Sequence, residues 1–149
     1  MNIALWLQRM AEVRPTEPAL FMGAELVADY AAFDARAQQV AGWLTARGVN
    51  AGDRVALFMK NCPEYLIVQY GAWYAGAVVV PINAKLHARE AAWIMEDSGA
   101  KLAFVTPALA AELAAVEVSC PVVDALGTEF DAHPLTPVFR ADDDLCWLF

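Results

Sequence analysis

Residues 65–82, YLIVQYGAWYAGAVVVPI, decide between two different folds for this chain. The 18 residues contain one polar side chain, Gln69, so a membrane-spanning helix is one possible interpretation. Two glycines and Pro81 argue against a continuous helix, as does the change from Ala, Tyr and Trp to β-branched Val78-Val79-Val80. The stretch therefore predicts a buried helix, a turn and then a buried strand.

Helix and strand signals alternate on both sides of this stretch. Pro63 suits the first position of a helix, and Gly76 suits the residue just after its end. The predicted strands cover residues 54–58, 77–81, 101–105 and 121–123, and the predicted helices cover 30–47, 63–75, 88–97 and 107–115. Strands that alternate with helices in this way predict an α/β fold built of βαβ units, with a parallel sheet flanked by helices on both faces.

The two ends of the chain complete the prediction. The first 13 residues lack the basic start of a signal peptide and are interpreted as an amphipathic helix capped by Asn2. Residues 19–22 and 25–28 predict a hairpin, residues 124–141 predict mostly loop, and LCWLF at 145–149 predicts a further strand. The apolar stripe of the first helix is expected to contain Ile3, Trp6, Leu7, Met10 and Val13.

Composition and charge limit the possible partners. The chain has 149 residues, enough for one domain, and its formal net charge of −8 argues against nucleic acid or an anionic membrane as a partner. Cys62, Cys120 and Cys146 are an odd number without a CxxC pair, which favours reduced thiols and a cytoplasmic location over a disulfide framework or a zinc site.

The chain is also unusually apolar for a free-standing domain. Its hydrophobic fraction is 59% and its mean hydropathy is +0.38. The predicted helix at 63–75 is apolar nearly all round, which predicts that something outside the chain covers it. Self-association through exposed apolar surface is one expected consequence.

Glycine, acidic and histidine motifs each have a functional and a structural interpretation. Gly71 and Gly76 have the outer spacing of a phosphate loop, but Ala77 follows where that motif requires Lys. Asp142-Asp143-Asp144 has the residue type that binds Mg²⁺, although solvated loop carboxylates are the more common case. His87 has the position of a general base or of a helix cap, and Glu90 stands where a capping box places its carboxylate.

The remaining candidates are weaker. His133 lies in a predicted loop without an identifiable partner. Cys146 lies in an apolar run and is expected to act as a small hydrophobic residue, whereas Cys62 at a helix start is better placed for a lowered pKa. No triad, metal-ligand spacing or catalytic carboxylate pair can be assembled, so no catalytic, cofactor-binding or metal-binding residue is assigned within 1–149.

Five motifs in order carry a resemblance to a known family over about 90 residues, from Thr16 to Thr106. They are ARGV at 46–49, GDRVAL at 52–57, NCPEY at 61–65, YAGAVVVPIN at 74–83 and EDSGAKLAFV at 96–105. In this order and spacing the chain resembles the first subdomain of the large N-terminal domain of the acyl-adenylate-forming ligases, the acyl-CoA synthetase group. His87 departs from the family, which usually has Thr or Ser there.

The resemblance implies a function for a longer parent protein. A run like ADDDLCWLF (141–149) leads in that family into a Ser/Thr/Gly-rich loop that grips the phosphates of ATP, so residues 1–149 are expected to be a partial N-terminal domain truncated before that loop. The implied reaction is AMP-forming acid–CoA ligation, first of all of a medium- or long-chain fatty acid. The carboxylic acid, ATP, Mg²⁺ and coenzyme A would be bound by the parent, and the fragment itself is expected to be inactive.

Two alternatives to the ligase fragment remain open. One is a stand-alone, non-catalytic interaction module that retains part of the ligase fold. The other is an unrelated nucleotide-binding α/β domain, although the chain has no glycine-rich strand-to-helix turn.

Overall fold

The computed structural model describes residues 1–149, in which five helices and six strands follow one another. In chain order they are α1 (Leu5–Val13), β1 (Pro18–Met22), β2 (Glu25–Asp29), α2 (Tyr30–Ala46), β3 (Arg54–Phe58), α3 (Pro63–Tyr74), β4 (Val78–Ile82), α4 (Ala88–Asp97), β5 (Ala100–Val105), α5 (Pro107–Leu113) and β6 (Val122–Asp124). No helix combines the length and the apolar character that crossing a membrane requires. The predicted order of elements is confirmed up to β6, with boundary shifts of one or two residues, but no strand forms at 145–149.

A four-stranded parallel sheet forms the centre of the fold, in the order β4-β3-β5-β6. Alternate residues of its strands point to opposite faces. Leu57 and Phe104 belong to one core, which α2 and α3 cover, and Phe58 and Val105 belong to a second core, which α4 and α5 cover. Helices therefore flank both faces of the sheet, as the alternating pattern predicts.

The stretch at 65–82 folds into a helix, a turn and a strand as expected. Pro63 is in the first turn of α3, and Gly76 has φ +77°, a left-handed conformation that L side chains rarely adopt. β4 pairs with β3 from Val78 to Ile82. Because β4 has cover on both faces, its unbroken apolar sequence matches its environment.

The expectation that α3 needs cover from outside the chain is wrong. Eight of its twelve residues are buried, and Leu66 at 40% is its one strongly exposed large apolar side chain. Most of the cover comes from α2, which approaches so closely that a Cβ on Gly71 would overlap the side chain of Val40. Self-association therefore cannot be argued from α3.

Two terminal predictions also need correction. In α1, Leu7 is buried as predicted, but Trp6 and Val13 are 61% and 67% exposed. The side of the helix that faces the core contains Leu7 and continues from the buried Ala4, and Trp6 lies outside it. The prediction that Asn2 caps α1 is wrong, because the helix begins at Leu5 and Ala4 stands at its cap position without a side-chain hydrogen bond. The side-chain oxygen of Asn2 accepts from the N–H of Ala4, and its NH₂ group donates to the carbonyls of Trp73 and Val138.

The run at 145–149 forms one isolated parallel bridge, Trp147 to Val79, and not the predicted strand. The amide of Val79 donates to the carbonyl of Cys146, and the amide of Leu148 donates to that of Val79. Leu145 and Phe149 are 62% and 95% exposed. The apolar side chains that suggested a buried strand are thus only partly covered.

The loop at 124–141 crosses α2 and α3 and belongs to the core on that face. Phe130 packs edge-to-face against Trp43, with ring centroids 5.3 Å apart. The amide of Leu135 donates to the carbonyl of Gln38, and the amide of Val138 donates to that of Tyr74. A Cβ on Gly42 would overlap the carbonyl of His133, so this loop lies directly on the helix backbone.

Candidate functional site

A crevice lies at the carboxyl edge of the parallel sheet, between the ends of β3 and β4. From β3 the chain turns to α3 on one face, and from β4 it turns to α4 on the other face. Neighbouring strands whose connections diverge in this way leave an opening, which is the usual position of ligands in open α/β sheets. The cavity has a volume of about 640 Å³.

Polar side chains from both strand ends line the crevice above an apolar floor that includes Met59 and Ile82. They are Lys60, Asn61, Tyr65, Asn83 and Lys85. The lysines and asparagines are exposed, and Tyr65 is half-buried. Burial raises the pKa of the Tyr65 phenol, so at neutral pH its hydroxyl is protonated and able to donate a hydrogen bond.

Local hydrogen bonds hold the two loops that carry these residues. After β3, the backbone N–H of Lys60 donates to the hydroxyl of Thr106 at 3.3 Å. After β4, the side-chain oxygen of Asn83 accepts from the backbone N–H of Lys85 at 3.0 Å. The backbone carbonyl of Asn83 accepts from the N–H of Leu86. Asn favours such a turn because its side chain bonds its own backbone two residues further on.

The electrostatics of the crevice favour an anion. The ion pairs of the chain involve the N-terminal ammonium, Arg14 and Arg140, so neither Lys60 nor Lys85 has a carboxylate partner. Two free ammonium groups at one opening are notable in a chain of net charge −8. With the amide groups of Asn61 and Asn83, they are suited to bind a phosphate or a carboxylate.

The histidine and cysteine candidates from the sequence lie outside this crevice. The carboxylate of Glu90 accepts from the backbone N–H of His87 at 3.0 Å, which confirms the capping interpretation for that contact. Burial raises the pKa of the Cys62 thiol, the opposite of what a nucleophile requires. The backbone carbonyl of His133 lies against Gly42 of α2, and Cys146 packs against the larger core.

The acidic run at 142–144 does not converge on one point. Asp142 pairs with the N-terminal ammonium, which lowers the pKa of its carboxyl, and Asp144 pairs with Arg140 at 3.3 Å. No three His, Cys, Asp or Glu side chains within residues 1–149 lie close enough to hold a metal ion together. These residues therefore do not fit Mg²⁺.

Sequence reasoning missed the crevice lysines. The available signal was position, since Lys60 follows β3 by two residues and Lys85 follows β4 by three. That signal becomes useful only when the strand order is known, because two strand ends form a shared opening only if the strands are neighbours.

Comparison with known proteins gives one family and a consistent set of relatives. Residues 7–145 match the family model described as AMP-binding enzyme. The long-chain-fatty-acid–CoA ligase FadD13 of Mycobacterium tuberculosis is 37% identical over 131 residues, which are 87% of this chain and 24% of that protein. The crotonobetaine/carnitine–CoA ligase of Citrobacter koseri is 39% identical over 105 residues, 68% of this chain and 20% of that protein.

Solved structures agree on the fold. The crystal structure of the N-terminal domain of FACL13 from Mycobacterium tuberculosis superposes with a TM-score of 0.87 at 33% identity, covering 99% of this chain and 41% of that one. A benzoate CoA ligase from Burkholderia xenovorans LB400 gives 0.85 at 24% identity, over 99% of this chain and 32% of that one. The chain spans about a quarter of the length of the curated relatives it matches.

Proposed function

Because the chain belongs to the AMP-binding enzyme family, we propose that it is the front part of an ATP-dependent, AMP-forming acid–CoA ligase. The observation that carries the proposal is the family match over residues 7–145. Since the chain spans about a quarter of its relatives' length, the proposal places the phosphate loop and the catalytic residues in a longer parent protein. Residues 1–149 are then a partial N-terminal domain without adenylation activity of its own.

The proposed reaction has two steps. The carboxylate of the acid attacks the α-phosphorus of ATP, pyrophosphate leaves, and an acyl-adenylate forms. The thiolate of coenzyme A then attacks the acyl carbon and displaces AMP. Mg²⁺, when bound by the parent, would neutralise phosphate charge.

The role proposed for residues 1–149 is anion binding at the crevice. Lys60 and Lys85 provide positive charge, and the amides of Asn61 and Asn83 provide donors, to a phosphate or carboxylate group of one reactant. In this proposal the four residues bind and orient that phosphate or carboxylate group, and none of them transfers a proton to the reacting atoms. Their contribution should therefore appear in binding.

A medium- or long-chain fatty acid is the proposed substrate. The support is the named activity of the relative from Mycobacterium tuberculosis, which covers more of this chain than the crotonobetaine/carnitine–CoA ligase does. A cytoplasmic location is proposed as well, and it is supported by three free cysteines.

The experiment that tests the function is acid-dependent exchange of labelled pyrophosphate into ATP, catalysed by the parent protein. The panel contains fatty acids of increasing length, benzoate and carnitine. Exchange and AMP release with a fatty acid are expected for the parent, and neither is expected for residues 1–149 alone. If the parent shows no pyrophosphate exchange with any acid of the panel, that result contradicts the ligase and favours a non-catalytic interaction module.

The crevice is tested by charge removal in the parent. Lys60→Ala and Lys85→Ala are each expected to raise the KM of one anionic reactant by about 10- to 150-fold, since hydrogen bonds to charged groups contribute about 1.5–3 kcal/mol. The matched control is Lys101→Ala, which removes an exposed lysine of β5 outside the crevice. If the KM values for ATP, the acid and coenzyme A in Lys60→Ala and Lys85→Ala equal those of the wild type and of the control, the crevice binds none of the three reactants.

A further inference from the structure

The outer face of α4 carries four residues whose spacing is symmetrical: Arg89, Ala92, Trp93 and Glu96. At 100° per residue they lie on one side of the helix, where Arg89, Trp93 and Glu96 are exposed. Ala92, 8% exposed, lies beneath them and belongs with Ala91 and Met95 to the second core. We name these four residues the α4 stripe. Trp93 is 63% exposed, an unusual exposure for the largest apolar side chain.

Both charges of the α4 stripe are without partners inside the chain. The ion pairs of the chain do not include Arg89 or Glu96. The two cannot pair with each other, because seven residues separate them along the helix by about 10 Å. Beside the stripe, the segment 115–119 forms the opposite wall of an open groove of about 530 Å³. An aromatic and an arginine at such a groove are the residue types that most often dominate protein–protein contacts.

We propose that the α4 stripe is a self-association surface whose partner is a second copy of this chain. A two-fold axis through the midpoint between residues 89 and 96 sets two α4 helices antiparallel. Arg89 of each copy then lies level with Glu96 of the other, and Trp93 lies within about one ångström of the axis along the helix. The α4 stripe is therefore complementary to itself in charge. The same two-fold rotation brings the Trp93 side chains of the two copies together at the axis, where each covers the other.

The expected association is weak and depends on Trp93. One helix stripe buries less than the roughly 800 Å² per partner of a typical stable interface. Exposed ion pairs contribute little energy and mainly fix the pairing geometry, so covering the two indole rings supplies most of the stabilisation. The net charge of −8 on each copy opposes association.

Sedimentation equilibrium of the 149-residue chain from about 10 μM to about 1 mM covers the range of a weak complex. A shift from the monomer mass of 16.2 kDa toward twice that value is expected as concentration rises, and Trp93→Ala is expected to abolish it. Circular dichroism checks that each variant is folded. A monomer over the whole range would overturn the proposal and leave the groove to a different partner.

Charge reversal distinguishes this pairing from any other. Arg89→Glu and Glu96→Arg should each abolish the dimer, because each single variant places like charges opposite one another. The double variant, and an equimolar mixture of the two single variants, should restore it.

The controls are Lys101→Glu and Glu112→Arg, which change the net charge equally at exposed positions outside the groove. Dimers that survive both single reversals, or single variants that neither the double change nor mixing rescues, would overturn the proposal.

Discussion

Tyr74 shows how much of this fold depends on single buried polar groups. Its ring is fully buried at the end of α3, and its hydroxyl donates to the carboxylate of Asp34 on α2. Gln38 donates to the other oxygen of the same carboxylate at 2.6 Å. Burial and then the hydrogen bond to Asp34 raise the pKa of the Tyr74 phenol, so it stays protonated well beyond neutral pH.

Tyr74→Phe is expected to lower the free energy of unfolding by about 1–3 kcal/mol at pH 8, because the partly buried carboxylate of Asp34 loses a hydrogen-bond donor. Urea denaturation measures this loss. Tyr65→Phe is the control, since Tyr65 is half-buried and its hydroxyl has no hydrogen bond within the chain. Its cost at pH 8 should be well below that of Tyr74→Phe.

The same pair predicts a pH dependence. Below pH 10, the ordinary pKa of the phenol, Tyr74 is protonated in both the folded and the unfolded chain and adds no pH dependence. Above pH 10 only the unfolded chain loses this proton, so stability falls by up to about 1.4 kcal/mol per pH unit for this group. The advantage of wild type over Tyr74→Phe should therefore shrink between pH 10 and 11, and a constant difference would contradict the burial argument.

At the scale of elements, the contact between α2 and α3 depends on a glycine. Gly71 lies inside α3, where glycine is intrinsically unfavourable by about 0.5–1 kcal/mol relative to alanine. It lies against Val40 of α2, whose side chain a Cβ at this position would overlap. The close approach of α2 and α3 therefore explains why residue 71 is a glycine, whereas the phosphate-loop spacing of Gly71 and Gly76 does not.

Gly71→Ala is expected to destabilise the protein by about 1–3 kcal/mol, because overpacking exceeds the gain in helix propensity. The test is a double-mutant cycle with Val40→Gly, which removes both Cγ1 and Cβ of Val40, the two atoms within 2.5 Å of the position of the new methyl group. The double variant should cost at least about 1 kcal/mol less than the sum of the single variants. Additive costs would show that the glycine is not retained for packing.

Elements were predictable from the sequence where their causes are local. The boundaries of α4 are those predicted, because Glu90 caps its start and Gly99, at φ +64°, follows its end. Asp29 likewise begins α2 by accepting from the N–H of Ala32 at 2.8 Å. Such signals lie within four residues of the boundary that they define.

At the scale of the whole molecule, predictions failed where the cause is a long-range neighbour. The crevice depends on β3 and β4 being adjacent, and the sequence does not state strand order. The exposure of Trp6, which the sequence predicts on the buried side, depends on how α1 lies against the rest of the chain, and periodicity alone cannot determine that. The segment 145–149 has the composition of a buried strand, but only β4 pairs with it, through a single bridge.

That single bridge predicts unequal stability across the sheet. The central strands β3 and β5 are paired on both sides, and Leu57 and Phe104 are fully buried. Residues 145–149 have two backbone hydrogen bonds to Val79 and one from the Trp73 indole N–H to the Cys146 carbonyl, at 2.9 Å. Opening this segment therefore breaks few contacts, whereas exposing Leu57 requires unfolding of the core between the sheet and the helices α2 and α3.

Amide hydrogen exchange should resolve the difference, with Leu148 exchanging at least about 100-fold faster than Leu57 after correction for intrinsic rates. Trp147→Ala removes the edge-to-face contact with Trp73, whose ring centroid lies 4.8 Å away. It should accelerate exchange at Leu148 and leave Leu57 unchanged, because local opening does not pass through the cores. Equal exchange rates at the two amides would mean that the segment unfolds only with the whole sheet, so that its contacts are stronger than one bridge supports.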